Sequence, residues 1–316
     1  MSISFLKQLF YADGSGTPRY NGNISSIKWK DRSRTIRGYK FTYDDANRLT
    51  QAAYGQGSNI TSSTVKFTEG VQYDAHGNVT GITRYGKTSS STYGLMDNLT
   101  LSYSGNQLTG VTEATADYDF AGSFEYKRTN GSQYIYDRNG SLIADKSRGI
   151  AYITYDTNGN PSRIYFTNGN VTKYVYSAAG EKLRVEYRVA VPNTTVTFGV
   201  EPDALTQSQT MYAGSTDYLL GGSLTLRNGR IDKLLFEEGY CQAEMYAGNN
   251  SQDNFYLYYY DRDHLGNIRQ VVKADRTTNG TVVQTMDYYP FGAQFCHSST
   301  ASEVQSRKYN GKVFIK

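Results

Sequence analysis

The amino-acid sequence predicts an all-β protein of tandem antiparallel β-hairpins forming a long twisted, curled sheet. Three observations predict it: a Tyr-Asp-x-x-Gly-Asn unit recurs along the chain, eight Asn-Gly pairs punctuate it, and 30 Tyr and 31 Gly among 316 residues set strand-forming rings between turn-forming glycines.

The units read YDDANRLTQA (43–52), YDAHGNVTGI (73–82), YSGNQLTGV (103–111), YDRNGSLIAD (136–145), YDTNGNPSRI (155–164) and YSAAGEKLRV (176–185), their first tyrosines 30, 30, 33, 19 and 21 residues apart. Spacing near 20 gives one strand-turn-strand unit, and spacing near 30 adds a longer loop or an eroded strand. Within a unit, Val71 and Tyr73 alternate with Gln72 and Asp74, the period of two that marks a half-buried strand. In the turn Asp74 to Asn78, Gly77 supplies a positive φ and the Asp74 carboxylate accepts from backbone amides. Tyr136, Asp137 and Gly140, and Tyr155, Asp156 and Gly159, take the same places. Asn-Gly pairs begin at Asn21, Asn130, Asn139, Asn158, Asn168, Asn228, Asn279 and Asn310. Hairpins without intervening helices give one continuous sheet, and a long sheet twists and curls.

The division expected along the chain is a repeat strip over 1–190, an irregular loop or seam over 191–212 holding two of the five prolines, and a closing β region over 213–316. Mean hydropathy is −0.60, too polar for a deep aliphatic core but suited to sheets whose Tyr rings bury one face and keep a wet hydroxyl. The net charge of +4 comes from 33 basic and 29 acidic residues spread along the chain, which gives no footprint for nucleic acid. With Cys241 and Cys296 alone, the fold does not depend on a disulfide framework. The N-terminal MSISFLKQLF lacks the apolar region and cleavage site of a secretory signal. No run approaches about 18 apolar residues, so no membrane span is expected.

The string YYYDRDHLGNIRQVV (258–272), followed by Thr281 to Gln284 and then YYPFG (288–292), closely resembles the signature of the bacterial Rhs repeat-associated core, and the units before it resemble YD repeats. The resemblance covers roughly 43–316. Its carriers are Asp263, His264, Leu265, Gly266, Asn267, Arg269, Tyr288, Tyr289, Pro290 and Gly292. It implies a β-strip spiralling into a secreted or cell-surface shell, extracellular or at the bacterial surface, that encloses a toxin effector as protein cargo. It also implies an autoproteolytic Asp-Pro segment that this sequence departs from, since none of Pro18, Pro161, Pro192, Pro202 and Pro290 follows Asp. The chain stops at YNGKVFIK (309–316), where that segment approaches. The reading is a short or truncated core without effector or self-cleavage: a non-catalytic scaffold, needing no cofactor and no metal. The open edges of an incomplete spiral invite a homodimer.

GITRYGKT (81–88) satisfies the P-loop pattern, but no helix former follows, so chance in a turn is the reading. Asp156, Asn158 and Asn160 offer alternate oxygens, yet Pro161 and a missing bidentate Glu argue against calcium. Cys296 and His297 are adjacent and would point to opposite faces of a strand. His76 and His264 fall in turns. Asp263, His264 and Arg269 form a charged group in which Asp263 closes a turn and Arg269 pairs with a neighbouring strand's carboxylate; its functional counterpart is an inward-facing cargo or sugar site. Tyr-rich faces offer a second function, glycan binding or adhesion, because flat rings bury sugar C–H groups. A third is a hydrolase whose two carboxylates are brought together by the fold.

Overall fold

The computed structural model describes residues 6–30, 35–61, 65–116, 126, 133–206, 208–244, 254–275 and 280–295. The chain is all-β, as the repeat predicts. The first eight strands are β1 (Leu6–Phe10), β2 (Ser26–Lys30), β3 (Arg37–Tyr43), β4 (Leu49–Gln56), β5 (Glu69–Tyr73), β6 (Val79–Lys87), β7 (Tyr93–Ser104) and β8 (Gln107–Glu113). They form one sheet in sequential order. There follow β9 (Tyr134–Tyr136), β10 (Leu142–Asp145), β11 (Ile150–Tyr155), β12 (Pro161–Phe166), β13 (Val171–Tyr176), β14 (Lys182–Ala190) and β15 (Thr210–Leu219). The last six are β16 (Leu224–Arg227), β17 (Arg230–Phe236), β18 (Gly239–Glu244), β19 (Asn254–Arg262), β20 (Ile268–Lys273) and β21 (Thr281–Thr285). The thirteen strands β9 to β21 also lie in sequential order in a second sheet. Many consecutive strands are joined by short turns and others by longer connections such as 11–25 and 191–209, and in each case the chain returns alongside the strand it left, so the pairing is antiparallel.

One turn is used repeatedly. In it, the amide of residue i donates to the carbonyl of i+4 and the amide of i+3 donates to the carbonyl of i. It occurs at Asp44, Asp74, Asp137, Asp156, Phe166, Ser177, Asp263 and Tyr289. Residue i+3 needs a positive φ, which Gly77 (91°) and Gly266 (80°) supply without strain and Asn47 (62°) supplies in the unit that lacks glycine. At Asp74 the carboxylate also accepts from the amides of His76 (2.9 Å) and Asn78 (2.8 Å). Asp137 and Asp156 repeat this pattern. Asp156 is thus occupied by Asn158 and Asn160, the plain turn expected there. The unit at Tyr103 departs, closing through Gly105 and Asn106 between β7 and β8.

The repeat tyrosine has its own task. Its hydroxyl donates to the carbonyl of the first or second strand residue after the preceding turn. Tyr73 reaches Leu49 (2.8 Å), Tyr136 reaches Leu108 (3.0 Å) and Tyr155 reaches Leu142 (2.5 Å). Each ring therefore lies across the previous hairpin and satisfies a carbonyl that would otherwise turn to water.

The chain divides into two compact units: 1–102 with 111–128 and 259–316, and 103–110 with 129–258. In the first, Ile27, Trp29, Tyr39, Ala52, Tyr54 and Phe67 of the N-terminal sheet and its loops share a core with Tyr289, Ala293 and Phe295. In the second, a smaller core joins Ala151, Tyr165, Val171 and Val196. The last of these comes from the 191–209 connection between β14 and β15, whose described residues carry no strand. Ring placement in the first core is tight. Phe67 and Phe295 stack at 3.9 Å and 7°, and Tyr54 meets both edge-on. Each such ring contributes about 2–3 kcal/mol by burial.

Candidate functional site

The residues that carry the Rhs-like signature lie in the first unit, on two turns of the repeat type. The segment Asp263 to Asn267 follows β19: the Asp263 amide donates to the Asn267 carbonyl at 2.9 Å, and the Asp263 carboxylate accepts from the amides of Leu265 and Asn267 and from Asn267 Nδ2, each at 3.0 Å. Leu265 is exposed. The second turn runs from Tyr289 to Ala293, with Tyr289 in the place that Asp holds elsewhere, Pro290 inside the turn and Gly292 at φ 94°. Tyr288 then stands where the repeat tyrosine stands, and its hydroxyl donates to the Ile268 carbonyl at 2.8 Å, five residues after Asp263 as Leu142 is five after Asp137.

A tyrosine in place of aspartate changes what the turn does. The Tyr289 ring enters the core and its hydroxyl donates to the Tyr85 carbonyl at 2.6 Å. Gly86 permits this approach, since a Cβ there would lie 2.8 Å from the Tyr289 hydroxyl.

Around these turns the buried charges form two groups. In the first, Asp287 accepts from Trp29 Nε1 at 2.7 Å and from Arg37 Nη1 at 2.7 Å, and Arg269 Nη1 lies 3.5 Å away. Arg269 Nε donates to Asp263 at 2.9 Å, and the guanidinium lies over the rings of Trp29 (5.5 Å) and Tyr288 (5.1 Å). Burial pushes the Asp263 carboxyl up, but the charge of Arg269, the Asn267 amide and Lys7 outweigh it, so it sits below the usual carboxylate range.

In the second group, Arg84 donates to Glu69 at 3.1 Å and to Asp97 at 2.6 Å. Its guanidinium lies over the Tyr289 ring at 5.3 Å. Burial raises Glu69 and Asp97 above the usual range, because one guanidinium serves two carboxylates. The same pair of anions outweighs the effect of burial on Arg84 and raises it. The Phe291 amide donates to Glu69 at 3.4 Å and ties this group to the second turn.

The structure thus brings Asp263, Asn267, Arg269, Tyr288 and Tyr289 into one packed joint. It leaves Tyr73, Asp74, Gly77, Asn78, Tyr136, Asp137, Gly140, Tyr155, Asp156 and Gly159 at separate hairpins. Arg269 pairs with Asp263 on its own hairpin as well as with Asp287. The P-loop-like string 81–88 lies mostly on β6, with no helix after it. Cys296, His297 and the terminal 309–316 lie outside the described residues. Trp29, Arg37, Glu69, Arg84, Asp97 and Asp287 were not anticipated; partners 13 to 258 residues apart carry no spacing signal. Among the described residues no group of three or more His, Cys, Asp or Glu is placed to hold a metal ion. No described helix is long and apolar enough to cross a membrane. In the second unit, Val196, Val200, Pro202, Asp203, Leu205 and Gln209 are among the residues that line a small cavity of about 230 Å³.

Two open antiparallel sheets of YD-type hairpins, where the sequence led us to expect one continuous sheet, with the signature turns packed on the N-terminal sheet, define an Rhs-like fold. Among solved structures, a crystal structure of TcdB2-TccC3-Cdc42 matches 98% of this chain at 14% identity with a TM-score of 0.53. TcdB2-TccC3 and the Photorhabdus luminescens Tc holotoxin pore match at 14% identity and TM-scores of 0.37 and 0.36. The chain spans 16% to 18% of the length of these chains. No family model matches the sequence, and no curated protein does.

Proposed function

We propose that the chain is a non-catalytic structural scaffold, a segment or short form of an Rhs-type shell that is exported to the cell surface or beyond and encloses a protein cargo. The observation that carries this reading is the direction of the signature side chains. Asp263, Arg269, Tyr288 and Tyr289 turn into the protein and engage its own sheet, so the signature acts as a closing joint. Glu69 and Asp97 share Arg84 in a buried site, an arrangement suited to holding strands together, whereas a hydrolase needs its acid pair in a cleft.

The test is solution shape. Small-angle scattering with light scattering on the purified chain should give a curved or hollow particle, monomeric or closing as a dimer through sheet edges, that copurifies with a defined protein when expressed with its genomic neighbours. A compact solid particle without bound protein overturns it.

A second reading, glycan binding, is favoured by one feature of the second unit. Tyr174 and Tyr176 stack at 6.3 Å on β13, and Tyr187 on β14 is 44% exposed opposite Gly214, which has no side chain to cover its ring. Binding on a glycan array that Tyr187→Ala abolishes would support it; an empty array would remove it.

A further inference from the structure

We propose that the exposed apolar face of β15 to β19 is a self-association surface on which a second copy of this chain packs, sheet against sheet. The pairing register places that face. Val171 and Val175 point to one side of β13, Val175 pairs with Arg184, and Arg184 pairs with Asp217. Leu219, two residues on, therefore shares the face that the 191–209 connection covers around Val171 and Val196. The face continues past that cover. Leu219 pairs with Leu224, Leu224 with Leu234 and Leu234 with Cys241, while Leu226 pairs with Ile231 beside them. On β19, Tyr258 stacks on Tyr240 at 4.7 Å, and both are buried on the opposite face. Phe255 and Leu257, at odd spacing from Tyr258, turn the same way as Cys241.

Leu219, Ile231 and Leu234 are each 44% exposed, and Phe236, Phe255 and Leu257 are 38% to 55% exposed. With the half-buried Leu224, Leu226 and Cys241 they show about 600–700 Å² of apolar surface, more than the largest patch of a monomer usually measures. The two rows hold no charged position, and Asp217 and Arg184 at their margin bond to each other at 2.5 Å, so the face offers nothing to a charged partner. What matches an uncharged apolar sheet is another one, and a second copy carries it. A two-fold axis through Leu234, on the middle strand, lays the five strands on their own counterparts at the spacing of about 10 Å found in packed sheets. Two such faces bury about 1,300 Å² in all, within the size of stable interfaces. An edge-paired dimer would leave the face bare, so the inference stands apart from the shell reading.

The test measures the mass of the full chain by light scattering from about 1 to 100 µM, a range that spans a micromolar dimer. Mass should rise from 35.3 kDa to twice that. Leu234→Asp, which seats a carboxylate in the middle of the contact on each copy, should raise the dissociation constant at least about a hundredfold. The side chain is exposed in the single chain, so the variant should keep the wild-type urea midpoint at a dilution where both are monomeric; Ile231→Asp on the same strand serves if it does not. Cys241 gives a second readout. In a Cys296→Ser background, iodoacetamide should alkylate Cys241 about tenfold more slowly in the dimer, because access to the thiol is lost. Leu234→Asp should restore the rate of the dilute chain. A chain that stays monomeric at about 100 µM overturns the proposal. So does a dimer that Leu234→Asp leaves intact, or one in which Cys241 reacts as fast as in the dilute chain.

Discussion

The two units are built from the same turn and differ in what covers the sheet. In the first, the segment 286–295 lays Tyr289, Ala293 and Phe295 on Trp29, Tyr39, Tyr54 and Phe67, and those residues are at most 8% exposed. In the second, the 191–209 connection covers β11 to β13 around Val171 and Val196, while Leu219, Ile231 and Leu234 on β15 and β17 each remain 44% exposed. Leu219, Leu224, Leu234 and Cys241 fall in one cross-strand row. Hairpin chemistry makes a sheet in both units, and only a second layer makes a core.

The largest expected difference lies in the apolar side chains. Phe295→Ala should cost about 3–5 kcal/mol in a urea titration, and Leu234→Ala under about 1 kcal/mol, because one leaves a cavity and the other only loses exposed surface. Equal effects would break the comparison. Next comes the buried charge. Asp287→Asn deprives Arg37 and Arg269 of their shared carboxylate and should cost about 3 kcal/mol, where loss of the exposed Arg184–Asp217 pair in the second unit should cost well under about 1 kcal/mol.

A smaller contrast concerns the repeat tyrosine. Tyr288→Phe leaves the Ile268 carbonyl unpaired beneath a ring that is 3% exposed, and should cost about 1–2 kcal/mol. Tyr155→Phe exposes its acceptor to water and should cost a few tenths of that. Equilibrium unfolding of both variants sharpens how far burial, more than the bond itself, sets the value.

The smallest effect is in pH. Asp263 titrates below its ordinary value, so its contribution is present at neutral pH and is lost as pH falls through the folded value, below about 4. Glu69 and Asp97 are raised, so their charged forms weaken the fold at neutral pH, and that penalty is relieved as pH falls towards the ordinary carboxylate range. Asp263→Asn should therefore flatten the acid limb of stability against pH, and Glu69→Gln should remove the relief above it. Urea midpoints measured from pH 7 to pH 3 carry both signs.

Much of the fold was legible in local chemistry. At Asp74, Asp137, Asp156 and Asp263 a glycine three residues on marks the turn, because the carboxylate caps amides of the same loop and glycine adopts the positive φ on its own. The signature was legible as a motif but not as geometry. Asp263 is preceded by Arg262 rather than Tyr, which hid its membership of the repeat, and Tyr289 in the aspartate place hid the other. The shared Gly at the third residue after each, Gly266 and Gly292, was the signal that could have revealed both.

By itself, then, the sequence determined the all-β class, the hairpins, the positions of most turns and the absence of a disulfide framework, since each depends on residues within about five of one another. The tertiary structure alone decided that Asp287 would meet Trp29 and Arg37, and that Arg84 would hold Glu69 and Asp97 beneath Tyr289. Those contacts join strands far apart in the chain, and their energy depends on burial, which arises only when one layer closes on another.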